Sequence, residues 1–265
     1  MIRQMLGGSV LLAGLVLAAA SAGVAPASAA EATPIPAFLA AAVADPARPR
    51  ADVEHDLNRK PAETLVFTGI KPGFKVAEIL PGGGYYTRII SGAVGSTGHV
   101  YALVPAPSPD APADAPDFSA RVRAIAAEPH YSNVSVVIEP FADLRTPAPV
   151  DLVWTSQNYH DLHNFPGLDL TVFNQMVFEA LKPGGIYLIL DHSSVPGAGT
   201  SVTSTLHRID PKAVKREVLA AGFQFVGSSN ILARPSDPRT AKVFDPVIRG
   251  RTDQFILKFR KPAKP

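Results

Sequence analysis

The chain has 265 residues, 46% of them hydrophobic, a formal net charge of +2 and no cysteine. Charge so close to balance gives no electrostatic basis for binding nucleic acid or an anionic membrane surface, so neither is expected as a partner. Without cysteine there is no disulfide and no cysteine-linked lipid anchor, and the length suits one sizeable domain that stands on its hydrophobic core.

Residues 1–30 carry Arg3, an apolar run from about Val10 to Ala20, and the small residues Ala27, Ser28, Ala29 and Ala30. This layout predicts a secretory signal cut after Ala29 or Ala30, because the run falls short of the roughly 20 residues that span a bilayer. The protein is therefore expected to be exported, periplasmic or secreted, with no stable membrane anchor after cleavage. Residues 31–60 read as a loose lead rich in alanine and proline, with Arg48, Arg50 and Arg59 on a solvated face that could fold over a pocket. Residues 61–265 read as the folded domain, opening with a helix from about Pro61, since proline suits a first helical turn.

Strand and helix signals then alternate. Strands are predicted at Lys75–Leu80, His99–Val104, Val134–Ile138, Leu152–Thr155, Ile186–Leu190, Gln224–Ser229 and Phe255–Phe259. Helices are predicted at about Tyr86–Val94, Phe118–Ala127, Leu170–Leu181 and Pro211–Ala221. Short buried strands between helices imply an α/β domain with a doubly wound, mostly parallel sheet, and such sheets bind ligands outside the carboxyl ends of their strands. Residues 105–118, rich in proline, alanine and aspartate, read as an irregular surface loop, and Trp154 as core. Arg249, Arg251 and Asp253 are expected to form a local ion-pair network before the last strand.

The stretch "VAEILPGGGYYTRII", residues 76–90, places Gly82, Gly83 and Gly84 at the turn from the first strand into a helix. Glycine lets backbone approach a ligand, and the free amides at a helix start favour negative charge. A dinucleotide fingerprint starting at Gly82 needs glycine at position 87, where Thr87 stands, and this excludes the dehydrogenase pattern.

The same residues resemble the first motif of class I S-adenosylmethionine-dependent methyltransferases, an acid followed by G-x-G-x-G-Y-x-T. "FADLRTPAPVDLVWTSQNYHDLH" and "ALKPGGIYLILDHS" are similar to that family's adenine-side acid with the fourth strand and to its turn into the fifth. The chain beyond them looks like a group of exported predicted methyltransferases. The resemblance implies a Rossmann-like, seven-stranded sheet with an antiparallel last strand, and S-adenosylmethionine as cofactor. It places Glu78 near the methionine amino group, Gly82, Gly83, Gly84 and Tyr86 along the cofactor, and Asp143 on its adenine side. The methyl acceptor would be a small molecule or an exposed oxygen or nitrogen nucleophile. Two positions depart from the pattern: Leu80 replaces its first glycine, and Val104 stands where an acid would hold the ribose hydroxyls.

Polar residues gather after the fourth and fifth strands. "NYHDLH" supplies Asn158, Tyr159, His160, Asp161 and His163, "LDHSS" supplies Asp191 and His192, and "LHRID" supplies His207. Under methyl transfer, His160 or His192 would serve as base beside Asp161, with Asn158 and Tyr159 orienting the substrate. His163 and His207 are expected to hydrogen-bond loops. Two alternatives stand beside this reading: a ligand-binding protein on the same fold that does not methylate, and a metal-dependent hydrolase built on His160, His163, Asp191 and His192. No metal ligand is assigned under the leading reading.

Overall fold

A run of short apolar strands builds the central sheet: β1 (Lys75–Ile79), β2 (His99–Pro105), β3 (Val134–Glu139), β4 (Val150–Ser156), β5 (Leu181–His192), β6 (Gln224–Ser229) and β7 (Gln254–Arg260). The structure is a computed structural model that describes Met1 and residues 34–263, apart from 108, 109, 111, 113 and 142–144. The signal expected at residues 1–30 thus lies almost wholly outside the described residues, and so does Asp143.

The strand order is β3-β2-β1-β4-β5-β7-β6. β3, β2, β1, β4 and β5 run parallel, and β7 pairs antiparallel with both β5 and β6. This is the seven-stranded, doubly wound sheet with an antiparallel last strand that the sequence implied. β5 starts earlier than predicted, at Leu181, because Leu181 already pairs with Val150 of β4, and the Pro-Gly-Gly turn lies in the register shift between Val150 and Leu152. A Cβ on Gly185 would stand 2.8 Å from the Lys182 carbonyl oxygen, so only glycine fits that turn.

Helices cover both faces: α1 (Ala37–Val43), α2 (Arg50–Val53), α3 (Asp56–Arg59), α4 (Pro61–Thr68), α5 (Tyr85–Val94), α6 (Ala120–Ala126), α7 (Tyr159–Leu162), α8 (Leu170–Ala180), α9 (Thr203–Leu206) and α10 (Pro211–Ala220). One apolar layer joins Leu39, Leu65, Ile89, Ile90 and Trp154, and the other joins Tyr159, Phe173, Val177, Val214 and Val218. Alternate side chains of β1 and β4 enter opposite layers, as expected of strands buried on both sides. Among the described residues no helix is long and apolar enough to cross a membrane.

Residues 34–60 are not a loose lead. Leu39 and Ala42 of α1 are buried in the first layer, and a Cβ on Gly92 of α5 would lie 3.1 Å from that of Ala42, so the two helices meet closely. Arg48 is buried rather than solvated: it pairs with Asp56 at 2.7 Å and donates to the Val43 carbonyl. Asp56 in turn accepts from the Tyr85 hydroxyl at 2.6 Å, and the Arg59 guanidinium lies 4.3 Å from the Tyr85 ring centroid. Only Arg50 is exposed as expected, with Glu54 as partner. The lead therefore folds over the start of α5.

The long connection between β6 and β7 is fastened by a buried ion pair. Arg208 contacts Asp237 at 2.9 Å and donates to the carbonyls of Ser193 and Ala241, each at 2.9 Å. Asp237 also accepts from the Asp253 and Arg239 amides, at 2.6 and 2.9 Å. Asp253 is thus paired differently from the expected local network: it faces Arg239 at 3.0 Å, while Arg251 donates to the Val247 carbonyl at 2.6 Å.

Candidate functional site

At the carboxyl end of β1 the backbone turns through three left-handed residues, Leu80 (φ +52°), Gly82 (φ +58°) and Gly84 (φ +78°). For leucine that conformation costs about 1–2 kcal/mol, which glycine would not incur. Asn158 holds the turn in place. Its amide donates to the carbonyls of Ile79 and Leu80 at 3.0 and 3.1 Å, and its oxygen accepts from Thr155. Asn158 therefore shapes the turn rather than facing open space.

The three glycines do different work. A Cβ on Gly84 would come within 2.0 Å of Ile125 Cδ1, so Gly84 is needed for packing against α6. Gly83 has Arg121 Nη1 at 3.8 Å from such a Cβ, an ordinary contact. A Cβ on Gly82 would meet nothing within 4 Å, which leaves its backbone open to a ligand at the start of α5. Behind the turn, Glu78 is buried and accepts from the Thr87 hydroxyl at 2.6 Å. Burial pushes its carboxyl up to about 8, against the weaker opposing pull of Thr87. Tyr86 is core, its ring 4.6 Å from Trp154, and burial raises its phenol above the usual range.

The second departure is also visible. Val104 is 2% exposed and packs in the first layer, so no carboxylate closes β2. Next to it Pro105 pairs in register with the exposed Glu139 at the end of β3.

Beside the turn lies the histidine cluster. His160 is 2% exposed; its Nδ1 faces Asp191 Oδ1 at 2.8 Å, and its backbone amide donates to Asp191 Oδ2 at 2.7 Å. On the ring's other side, His160 Nε2 lies 3.2 Å from Asp161 Oδ1 and 3.3 Å from His207 Nδ1. Burial disfavours charge on His160, but Asp191 and Asp161 together outweigh it and raise the imidazole to about 10. It is then a cation at neutral pH, unlike the free base suggested from sequence. His192 differs: burial lowers it to about 4, and its Nδ1 is paired with the Thr252 hydroxyl at 2.8 Å. Its ring centroid stands 6.0 Å from that of His160.

The quartet His160, His163, Asp191 and His192 does not converge. His163 Nε2 faces Glu217 at 3.2 Å, and Glu217 also accepts from the Tyr159 hydroxyl at 2.9 Å. Tyr159 is fully buried and serves the second apolar layer, away from any substrate. The residue that does converge is His207, expected to serve only a loop: its Nδ1 lies 3.2 Å from Asp161 Oδ1. With His160 and Asp161 it forms the cluster among the described residues that could hold a metal.

No protein-family profile matches the chain, and no curated protein matches it either. Solved structures do. An S-adenosylmethionine-dependent methyltransferase from Aquifex aeolicus aligns with a TM-score of 0.55 at 16% identity, covering 80% of this chain and 95% of its own. The fold is that of the class I S-adenosylmethionine-dependent methyltransferases. A second such methyltransferase, from Mesorhizobium loti, gives 0.51 at 16% identity, with 78% and 99% covered. The [4+2]-cyclase SpnF also aligns, with a TM-score of 0.53 at 17% identity over 81% and 82% of the two chains.

Within this methyltransferase fold, the turn fits a cofactor at one end. Open backbone at Gly82, a buried carboxyl at Glu78 and the start of α5 suit the charged amino-acid end of S-adenosylmethionine. At the ribose end, Val104 offers two hydroxyls no acceptor, and leaving each unpaired would cost about 1–3 kcal/mol if buried.

Proposed function

We propose that this protein is an exported S-adenosylmethionine-dependent methyltransferase of the exported predicted methyltransferase group, acting on a small or exposed oxygen or nitrogen nucleophile. The observation that carries the reading is the turn itself: a backbone left open at Gly82, just past the strand whose Glu78 is a buried, uncharged carboxyl. Bound there, the cofactor supplies an electrophilic methyl group on sulfonium. Glu78 would receive its ammonium, Gly82 and Gly83 would let the chain lie along it, and Asp143 would meet the adenine. Residues 34–59 close over Tyr85 and exclude water from that side. On the acceptor side Asp161, ionised and partly exposed, would orient the acceptor, while His160, with Nδ1 on Asp191 and Nε2 on Asp161, holds that carboxylate in place. The three-part layout of residues 1–30 supports export.

A second reading, a non-methylating binding protein on the same fold, is favoured by one observation: Val104 in place of the ribose acid. The neighbouring cyclase shows that this fold also serves other reactions. Titration calorimetry with S-adenosylmethionine and S-adenosylhomocysteine separates the two. Binding tighter than about 100 μM, near −5.5 kcal/mol, supports the methyltransferase; no heat and an unchanged melting temperature support the second reading.

The glycines give an internal control. Gly82→Ala should weaken cofactor binding at least about tenfold while lowering stability by only about 1–2 kcal/mol, the left-handed cost of a Cβ. Gly84→Ala should lower stability by about 1–3 kcal/mol beyond that through the clash with Ile125, on the order seen for overpacked cores. Equal affinity in Gly82→Ala and the wild type, measured by calorimetry, would sink the placement of the cofactor.

A further inference from the structure

The contacts of His160 Nε2, Asp161 Oδ1 and His207 Nδ1 close a triangle with edges of 3.2, 3.2 and 3.3 Å. Hydrogen bonds satisfy at most two edges of such a triangle. The carboxylate oxygen brings no proton, so the imidazoles must supply every donor. If both nitrogens point N–H groups at Asp161, the His160–His207 edge carries no bond. If only one does, a lone pair of the other imidazole faces the carboxylate.

A single cation satisfies all three edges at once. Ligand atoms about 2.0 Å from a tetrahedral zinc ion stand about 3.3 Å apart, and two imidazoles with one carboxylate are a common open zinc set. Octahedral coordination at about 2.1 Å would draw the same atoms to about 3.0 Å, closer than observed.

Three other features belong to a built site. Asp191 takes the Nδ1 side of His160, the arrangement that fixes a metal-bound imidazole and leaves Nε2 to the ion. His207 adopts a left-handed backbone (φ +53°), which aims its ring inward at a conformational cost that unconstrained loops avoid. The Asp161 and His207 side chains are 37% and 24% exposed, so a fourth coordination position would open outward, near the exposed ring of Phe244.

We infer that His160, Asp161 and His207 bind one zinc-class divalent ion, which displaces the proton from His160 Nε2 and keeps an open fourth position for water or an ionisable oxygen of the substrate. The inference stands apart from methyl transfer and survives if S-adenosylmethionine does not bind. It also places the ion next to the glycine turn, since Asn158, two residues before His160, holds the carbonyls of Ile79 and Leu80.

The test uses the purified protein stripped with a chelator and titrated with Zn2+ in competition with a chromogenic chelator of micromolar affinity, then with Co2+ followed by visible absorption. Expected are one Zn2+ per chain, the intense Co2+ bands of a four-coordinate site, and a loss of Zn2+ affinity of at least 100-fold in His207→Ala. Because His207 is partly exposed, the melting temperature of that variant in chelator should match the wild type, which separates ligand loss from misfolding. Asp191→Asn should lose a further readable 10- to 100-fold through His160 alone. Failure of the wild type to compete for Zn2+, weak six-coordinate Co2+ bands, or equal Zn2+ affinity in His207→Ala would each overturn the site.

Discussion

Arg208→Ala should cost about 3–5 kcal/mol of stability, the penalty for removing one partner of a buried ion pair. Three carbonyl and carboxylate groups lose their donor together: Ser193, Ala241 and Asp237. Burial works to neutralise Asp237, yet the Asp253 and Arg239 amides and the Arg208 guanidinium hold its carboxyl below the usual range. Without Arg208 that charge stays enclosed with amide donors alone. Urea unfolding should show a lower midpoint with an unchanged slope. Asp237→Ala added to Arg208→Ala should cost less than the two single losses summed, since the stranded charge is gone. A single-variant loss below about 1 kcal/mol would mean that the latch between the β6–β7 connection and residues 193–208 is not closed as described.

Glu78→Gln should remove a pH dependence that the wild type shows. The folded carboxyl lies at about 8 and the unfolded one at 4.5, so between those values the folded state holds more protons than the unfolded. Stability is therefore fully present below about pH 4.5 and falls as pH rises to about 8, by on the order of 3–5 kcal/mol. The glutamine variant, with nothing to titrate there, should lose none of it, and its melting temperature should overtake the wild type toward pH 9. Cofactor binding should move the other way. A ligand ammonium needs the carboxylate, so wild-type affinity should rise up to about pH 8, and binding at pH 7 should release most of one proton. Calorimetry in buffers of different ionisation enthalpy reads that proton directly. Parallel pH–stability curves for the two proteins would show that Glu78 is not held neutral.

Much of the sheet was legible because buried strands announce themselves through short β-branched runs. Gln224–Ser229 was bounded correctly, and β1, β2, β3 and β7 lie within a residue of their expected ends. The helix α1 was not legible: seven residues of mostly alanine carry no clear period, and the helix forms because Leu39 and Ala42 dock on α5. Leu80 gave no hint of its left-handed backbone, since leucine has no local reason to adopt it. At the site, the glycine turn and Glu78 could be read from one continuous stretch. The His160–His207 contact spans 47 residues and Arg208–Asp237 spans 29, so neither follows from spacing. The left-handed His207 and the buried partner of Arg208 exist only once α9 and the β6–β7 connection have folded back on β5.

The position of β7 has a consequence for how the chain assembles. It is the last strand in sequence but stands between β5 and β6, so neither of those strands has its neighbour until residues 254–260 arrive. A nascent chain that has made β1 to β6 carries an open edge on β5, whose continuous apolar run Ile186–Leu190 invites pairing with another copy. Long-range strand insertion of this kind is slow, and the waiting species is the one prone to aggregate. Assembly is thus gated from the carboxyl side: half-made molecules stay open, and a β7 borrowed from a neighbour would yield a strand-swapped dimer.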